Sequence, residues 1–237
     1  KLYVYCEDKL TGSPLPSVAS VFYSIQGTEF LGVLNDEDGD GNYTGTFDTS
    51  LLTPDTYSIT VIVWLENYTS VEKTIYLTVN PVPTSIQNIR ISETYWKDVL
   101  NMTATLWDTH NDAAVTDAVV SCTILKDGSE VLRENLTSLG NGTYTLSVDT
   151  YTFNMLPGKY TAVFSASKEN YQAQPMQVEF SVLRVPMSIR DVRIPEVQWG
   201  GVCNITITLW DTHNNVSVSS AEVSCIVMKD GVVVFEA

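Results

Sequence analysis

Asp36, Asp38 and Asp40 bring ligand chemistry together in one short stretch of this 237-residue chain. They lie in Asn35-Asp36-Glu37-Asp38-Gly39-Asp40-Gly41-Asn42, where D-x-D-x-D-G spacing sets three hard oxygen donors around a tight turn, as a calcium loop does. Calcium at these three carboxylates is one expectation. Two features weigh against it. Position twelve of such a loop, where a bidentate Glu belongs, is Phe47. The segment that a later repeat places here, Ser138-Leu139-Gly140-Asn141-Gly142, carries no acid. A polar hairpin turn accounts for the same residues without an ion.

The two histidines sit in a second constellation. Trp107-Asp108-Thr109-His110-Asn111 recurs as Trp210-Asp211-Thr212-His213-Asn214. Asp and His could form a metal pair. The favoured reading is a strand-end turn in which Asp or Thr bonds its own backbone, because the earliest copy has Cys6-Glu7-Asp8-Lys9-Leu10 and no His. Four cysteines are present, and zinc spacing is absent. Cys122 and Cys225 take equivalent places on an apolar strand face, Cys6 falls near the position of Leu106, and Cys203 falls at that of Leu100. Small buried hydrophobes are the favoured reading, and a Cys203–Cys225 bridge between neighbouring strands is the sharper alternative.

No nucleophile motif, HExxH, P-loop or dinucleotide fingerprint occurs, so no catalytic residue is expected. A net charge of −15 argues against nucleic acid, whose phosphates need a basic face. No apolar run approaches a membrane span. The chain opens on the strand-like Lys1-Leu2-Tyr3-Val4-Tyr5 rather than a targeting segment, which leads us to expect a mature or internal piece of a longer protein.

What must position these residues is a repeat. Residues 101–128 and 204–231 align without a gap at an offset of 103, with 17 of 28 positions identical. A more diverged copy precedes them: Gly41-Asn42-Tyr43-Thr44 matches Gly142-Thr143-Tyr144-Thr145, and Pro54 through Tyr57 matches Pro157 through Tyr160. Three copies follow: 1–83 without its first strand, 84–186 complete, and 187–237 with its N-terminal half only. The half copy is expected to need completion by residues outside the chain or by another molecule, because half a sandwich cannot bury its own face. Within 84–186, alternation predicts about seven strands. Met102, Ala104 and Leu106 share one face, as do Ala118, Val120, Cys122 and Ile124, and again Tyr160, Ala162 and Phe164. Turn residues punctuate the chain every ten positions or so, the pattern of an all-β, immunoglobulin-like Greek-key sandwich. Asn80–Thr84 and Val185–Met187 read as short Pro-containing linkers.

Two stretches carry a family likeness: D-G-D-G-N-Y-T-G-T-F-D-T-S-L-L-T-P-D-T-Y-S-I-T-V (38–61) and N-G-T-Y-T-L-S-V-D-T…L-P-G-K-Y-T-A-V (141–163). They resemble the second half of prokaryotic Ig-like repeats, which occur in tandem in bacterial and archaeal surface proteins, adhesins and S-layer components. The resemblance implies an extracellular or cell-surface location. Sequons at Asn42, Asn67, Asn101, Asn135, Asn141, Asn204 and Asn215 make seven, where composition predicts roughly three. N-linked glycans are therefore expected at these sites.

The leading expectation is a non-catalytic spacer or building block of an envelope layer, stalk or filament. Its partners would be further copies or other envelope proteins, met through sheet edges and incomplete terminal repeats, with strand complementation as a mechanism. The alternative is an adhesin or carbohydrate-binding accessory module with Trp96 and Trp199 as sugar-stacking platforms, although packing at a domain junction is the commoner fate of such tryptophans.

Overall fold

The protein is described by a computed structural model over residues 1–15 and 19–236. Thr-, Val- and Ile-rich alternating segments become strands with one buried and one solvated face. In residues 1–79 these are β1 (Leu2–Tyr5), β2 (Ser20–Ile25), β3 (Leu31–Leu34), β4 (Asn42–Gly45), β5 (Asp55–Trp64) and β6 (Val71–Val79). β1 pairs with β4, and the order β3-β2-β5-β6 forms a second antiparallel sheet. Leu2 and Tyr43 from the first sheet, with Cys6 just beyond β1, meet Val21, Ile25, Ile59 and Val61 from the second in one core.

The middle segment holds β7 (Val82–Ile91), β8 (Thr94–Tyr95), β9 (Val99–Asp108), β10 (Ala113–Ala114), β11 (Val119–Lys126) and β12 (Ser129–Asn135). It continues with β13 (Thr137–Ser138), β14 (Thr143–Asp149), β15 (Gly158–Ser167), β16 (Tyr171–Ala173) and β17 (Met176–Leu183). One sheet runs β13-β14-β9-β7-β16 and the other β12-β11-β15-β17-β8. The chain enters the first sheet with β7 and β9, crosses to the second with β11 and β12, returns with β14 and crosses again with β15 and β17. That exchange makes an immunoglobulin-like sandwich of seven principal strands, with four short ones added at its edges. The faces read from alternation pack together: Met102, Ala104, Leu106, Val120, Cys122, Ile124, Tyr160, Ala162 and Phe164 are all buried in one core. Tyr160 donates its hydroxyl to the Leu156 carbonyl at 2.6 Å, and Tyr57 does the same to Thr53 at 2.8 Å. These are tyrosine corners, which explain the repeated Pro-x-x-Tyr element as a device for turning the chain between sheets.

Gly41 and Gly142 are equivalent and necessary. Both have positive φ, and an added Cβ would approach Pro14 or Ala114 to 2.7 Å. Their carbonyls accept from Cys6 and Leu106 respectively, each at 2.9 Å, which fixes Cys6 as the counterpart of Leu106.

Of the two segments read as linkers, Asn80–Thr84 is strand from Val82 onward, and Val185–Met187 only at Met187. Val82, Pro83 and Thr84 open β7 and run parallel to β16. Proline lacks only the donor, and the Pro83 carbonyl accepts from both the amide and the hydroxyl of Thr109 at 3.0 Å. Pro186 receives Thr212 in the same way.

Residues 187–236 contain β18 (Met187–Arg193), β19 (Thr206–Asp211), β20 (Val216–Ser217), β21 (Ile226–Lys229) and β22 (Val232–Glu236), in the sheets β18-β19-β20 and β21-β22. β18 copies β7 down to a bulge, with Asn88 and Asp191 at the same left-handed φ near 50°. Burial does not follow. Ile189 is 62% exposed where Ile86 is 3%, and Val227 is 40% exposed where Ile124 is 0%. In the middle segment, Tyr144, Phe164 and Val182 of β14, β15 and β17 close the core, and residues 187–237 hold no counterpart of those strands.

Candidate functional site

The aspartate turn brings its three carboxylates together, with one oxygen of each within 4.8 Å of the others. Asp36 is buried, and its two oxygens accept the amides of Gly39 at 2.9 Å and Gly41 at 3.0 Å. Asp38 and Asp40 are exposed. The Asp40 charge pushes the Asp38 carboxyl above its ordinary range. The side chain and amide of Asn42 hold Asp40 below its own. Crowded like charges of this kind are what a divalent cation would relieve.

All seven sequon asparagines are exposed. The four cysteines are free thiols, Cys6 and Cys122 buried, Cys225 half-buried and Cys203 exposed. Burial pushes the Cys122 thiol up to about 12, consistent with a small apolar core residue.

The repeated Trp-Asp-Thr-His-Asn segments are strand-end turns. Asp108 accepts the amides of His110 and Asn111 and the side-chain amide of Asn111, and Asp211 repeats the set with His213 and Asn214. Burial raises Asp108, but the hydrogen bonds from Asn111 and His110 outweigh it and leave the carboxyl below its usual range. Asp211 is lowered chiefly by Asn214.

The loops differ in what their histidines meet. His213 Nε2 lies 2.8 Å from Asp98 Oδ2, and its ring is 4.2 Å from that of Tyr95. The turn after β19 is thereby seated on the turn that precedes β9. Trp96 lies beside this joint, edge-on to Tyr151 at 6.1 Å and covered by Lys97 Nζ at 4.5 Å. With Arg184, Val185 and Met187 it lines a cleft between the two segments. Trp96 is therefore packed, whereas Trp199 is fully exposed. Tyr95 and Asp98 escaped the sequence reading because they do not recur: the matching positions are Gln198 and Gly201. The signal available was the histidine, present in both copies of the loop.

Among the described residues no helix is long and apolar enough to cross a membrane. No protein-family model and no curated protein matches the chain. Solved structures with similarity include a tetra-tandem repeat in the extending region of a large adhesion protein, with 12% identity and a TM-score of 0.38. That match covers 87% of this chain, which spans only 59% of the other. The FN1–FN3 domains of chicken CNTN1 match at 10% identity and a TM-score of 0.31, over 75% of this chain and 57% of that one. The chicken interferon gamma receptor alpha chain matches at 9% identity and a TM-score of 0.31, over 76% and 91%. The class defined by the strand topology is the immunoglobulin-like β-sandwich, arranged as tandem repeats.

Proposed function

We propose that this chain is a non-catalytic repeat region of an extracellular cell-surface protein, a spacer or building block of an envelope layer, stalk or filament. The observation that carries the reading is the joint. The short Pro-containing connection is tied down by Thr212, whose amide and hydroxyl donate to the Pro186 carbonyl, and His213 of one copy is seated on Tyr95 and Asp98 of the copy before it. Such a connection sets the direction of a tandem array, which is what a spacer requires and what a lone binding module does not. Copies 1–83, 84–186 and 187–237 are its units, and they associate through open sheet edges. Trp96, half-buried and packed against Tyr151 and Lys97 at the joint, favours this reading over a sugar-stacking platform.

The exposed sequons would carry N-linked glycans on such a surface. Intact cells of the source organism, labelled with a membrane-impermeant reagent and digested for mass spectrometry, are expected to yield labelled peptides of this chain with glycans on several of Asn42, Asn67, Asn101, Asn135, Asn141, Asn204 and Asn215. Unlabelled peptides with all seven asparagines bare would overturn the extracellular reading.

Calcium at Asp36, Asp38 and Asp40 belongs to the same proposal. Calorimetry is expected to show binding with an affinity on the order of 10⁻⁴–10⁻³ M, as for extracellular modules. Asp38→Asn together with Asp40→Asn should abolish it while leaving the Asp36 hydrogen bonds intact. Absence of heat in the unsubstituted protein would reject the site.

A further inference from the structure

The outer face of the sheet β3-β2-β5-β6 carries an apolar patch. Alternation turns Ile59 and Val61 of β5 into the core and sends Ile62 and Trp64 outward. Phe22 of β2 lies opposite Ile62 on one side and Val33 of β3 on the other, so Val33, Phe22 and Ile62 form a row across three strands. Trp64 stands about 7 Å beyond Ile62 on the same strand. It is 53% exposed, and the three residues of the row are exposed as well. The middle segment presents the same face to solvent, and there it is polar. Register puts Ser165, Ser121 and Asn135 at the places of Ile62, Phe22 and Val33, and Ser167 at that of Trp64. A contiguous apolar patch on an otherwise polar surface marks a place that something covers.

The turn beside Trp64 supplies the occupant. β5 and β6 pair as far as Val63 and Val71, which leaves Asn67 at the middle of their connection. The Tyr68 amide donates to the Leu65 carbonyl at 3.1 Å, and Asn67 takes φ 67°, a left-handed turn conformation that asparagine tolerates. Leu65 packs against the core, and the Tyr68 hydroxyl donates to Asp8 Oδ2 at 3.1 Å, so the turn is tied down on both sides of Asn67. Asn67 itself is exposed, in the sequon Asn67-Tyr68-Thr69. The middle segment repeats the turn as Glu169-Asn170-Tyr171, with Asn170 at φ 64° and the Tyr171 amide on the Lys168 carbonyl at 3.2 Å. It keeps the backbone and has neither the tryptophan nor the sequon, since Ser167 stands for Trp64 and Gln172 for Thr69. Aromatic ring, apolar row and glycan acceptor thus occur together in one copy and are missing together from the other.

We infer that Asn67 carries an N-linked glycan that covers this face, its first sugar stacked on the Trp64 ring and the next laid toward Ile62 and Phe22. A pyranose has a face of C–H bonds whose slight positive charge suits the negative face of an indole ring. Its hydroxyls stay in water at the rim, where Ser20 lies opposite Trp64. Ring and acceptor are three residues apart across a fixed turn, so little freedom is lost when they meet. Attachment joins Asn67 Nδ2 to C1 of the first sugar, taken from a polyprenyl-phosphate-linked oligosaccharide. The C1–O bond breaks, the phosphate carrier leaves with its electron pair, and the amide nitrogen loses one proton. The inference rests on the glycosylation reading above and gives one of those glycans a structural task.

The test uses the glycoprotein purified from the source organism, with Thr69→Ala, Trp64→Ser and the double variant produced there. Thr69→Ala removes the sequon and leaves Asn67 in its turn. Trp64→Ser copies the middle segment and leaves the sequon. Mass spectrometry reports the occupancy of Asn67 in each. Thr69→Ala is expected to lower the melting temperature of the first sandwich by about 4 °C or more, and to do so only where Trp64 is present. Nuclear Overhauser contacts are expected between C–H protons of the first sugar and the indole protons that Trp64→Ser removes. An occupied Asn67 without those contacts, or a loss of melting temperature that is the same with and without Trp64, would overturn the stacking. A bare Asn67 beside occupied sequons elsewhere would overturn this site and leave glycosylation of the chain standing. Seven bare asparagines would overturn both.

Discussion

Phe164→Ala is expected to destabilise the middle sandwich by roughly 3–5 kcal/mol, a large part of the stability of an ordinary domain. Phe164 has no exposed surface. It lies opposite Cys122 on β11 and Met176 on β17, so its ring is held on the inner face of the central strand of its sheet. Removing it leaves a cavity that neighbours from both sheets cannot close without leaving their rotamers. The cores of residues 2–79 and 86–182 share no buried side chain. Denaturation followed by calorimetry should therefore show two transitions, of which Phe164→Ala lowers one and spares the other. Met176→Ala, on the same ladder but 46% exposed, should change stability by no more than about 0.5 kcal/mol. A single transition shifted as a whole would contradict independent cores.

The reach of the sequence reading follows from the same contrast. Strand positions were legible where alternation is strict, because a two-residue period leaves one choice of buried face. Met102, Ala104 and Leu106 obey it, as do Tyr160, Ala162 and Phe164. Alternation carries no information about whether the opposing sheet is present. Ile189 and Val227 have the pattern of Ile86 and Ile124 and are exposed, since burial belongs to the pair of sheets and not to the strand. Proline misled the reading in a definite way. Val82-Pro83-Thr84 looks like a linker because Pro83 cannot donate, yet its carbonyl is a ladder acceptor for Thr109. The carboxylates of the aspartate turn were legible because they are close in sequence. The joint was not, because His213 and Asp98 are 115 residues apart and only the folded chain brings them together.

Thr150→Val is expected to damage both the middle sandwich and the joint built on it. Thr150 is fully buried, and its hydroxyl serves two backbone groups at once. It donates to the Asp98 carbonyl at 3.0 Å and accepts the Lys97 amide at 2.8 Å. Valine has nearly the same shape, so packing is conserved and the hydrogen bonds alone are lost. The Asp98 carbonyl keeps the Thr150 amide as a donor at 3.1 Å, but the Lys97 amide is left without an acceptor, at about 1–3 kcal/mol. Lys97 is also a non-glycine residue at φ 78°, a conformation that persists only while its surroundings hold it. Once released, the turn is free to relax, and it carries Tyr95, Trp96 and Asp98. His213 then loses the geometry that seats the next copy. Spin-label distances measured across the joint should broaden in Thr150→Val, and they should broaden comparably in His213→Ala, which leaves the sandwich itself intact. Thr150→Ser retains the hydroxyl and should restore the narrow distribution even if some packing stability is lost. A Thr150→Val variant that is less stable but keeps the narrow distribution would show that the turn does not govern the joint. In that case His213 and Asp98 would merely be neighbours, and the direction of the array would be set by the Pro186 connection alone.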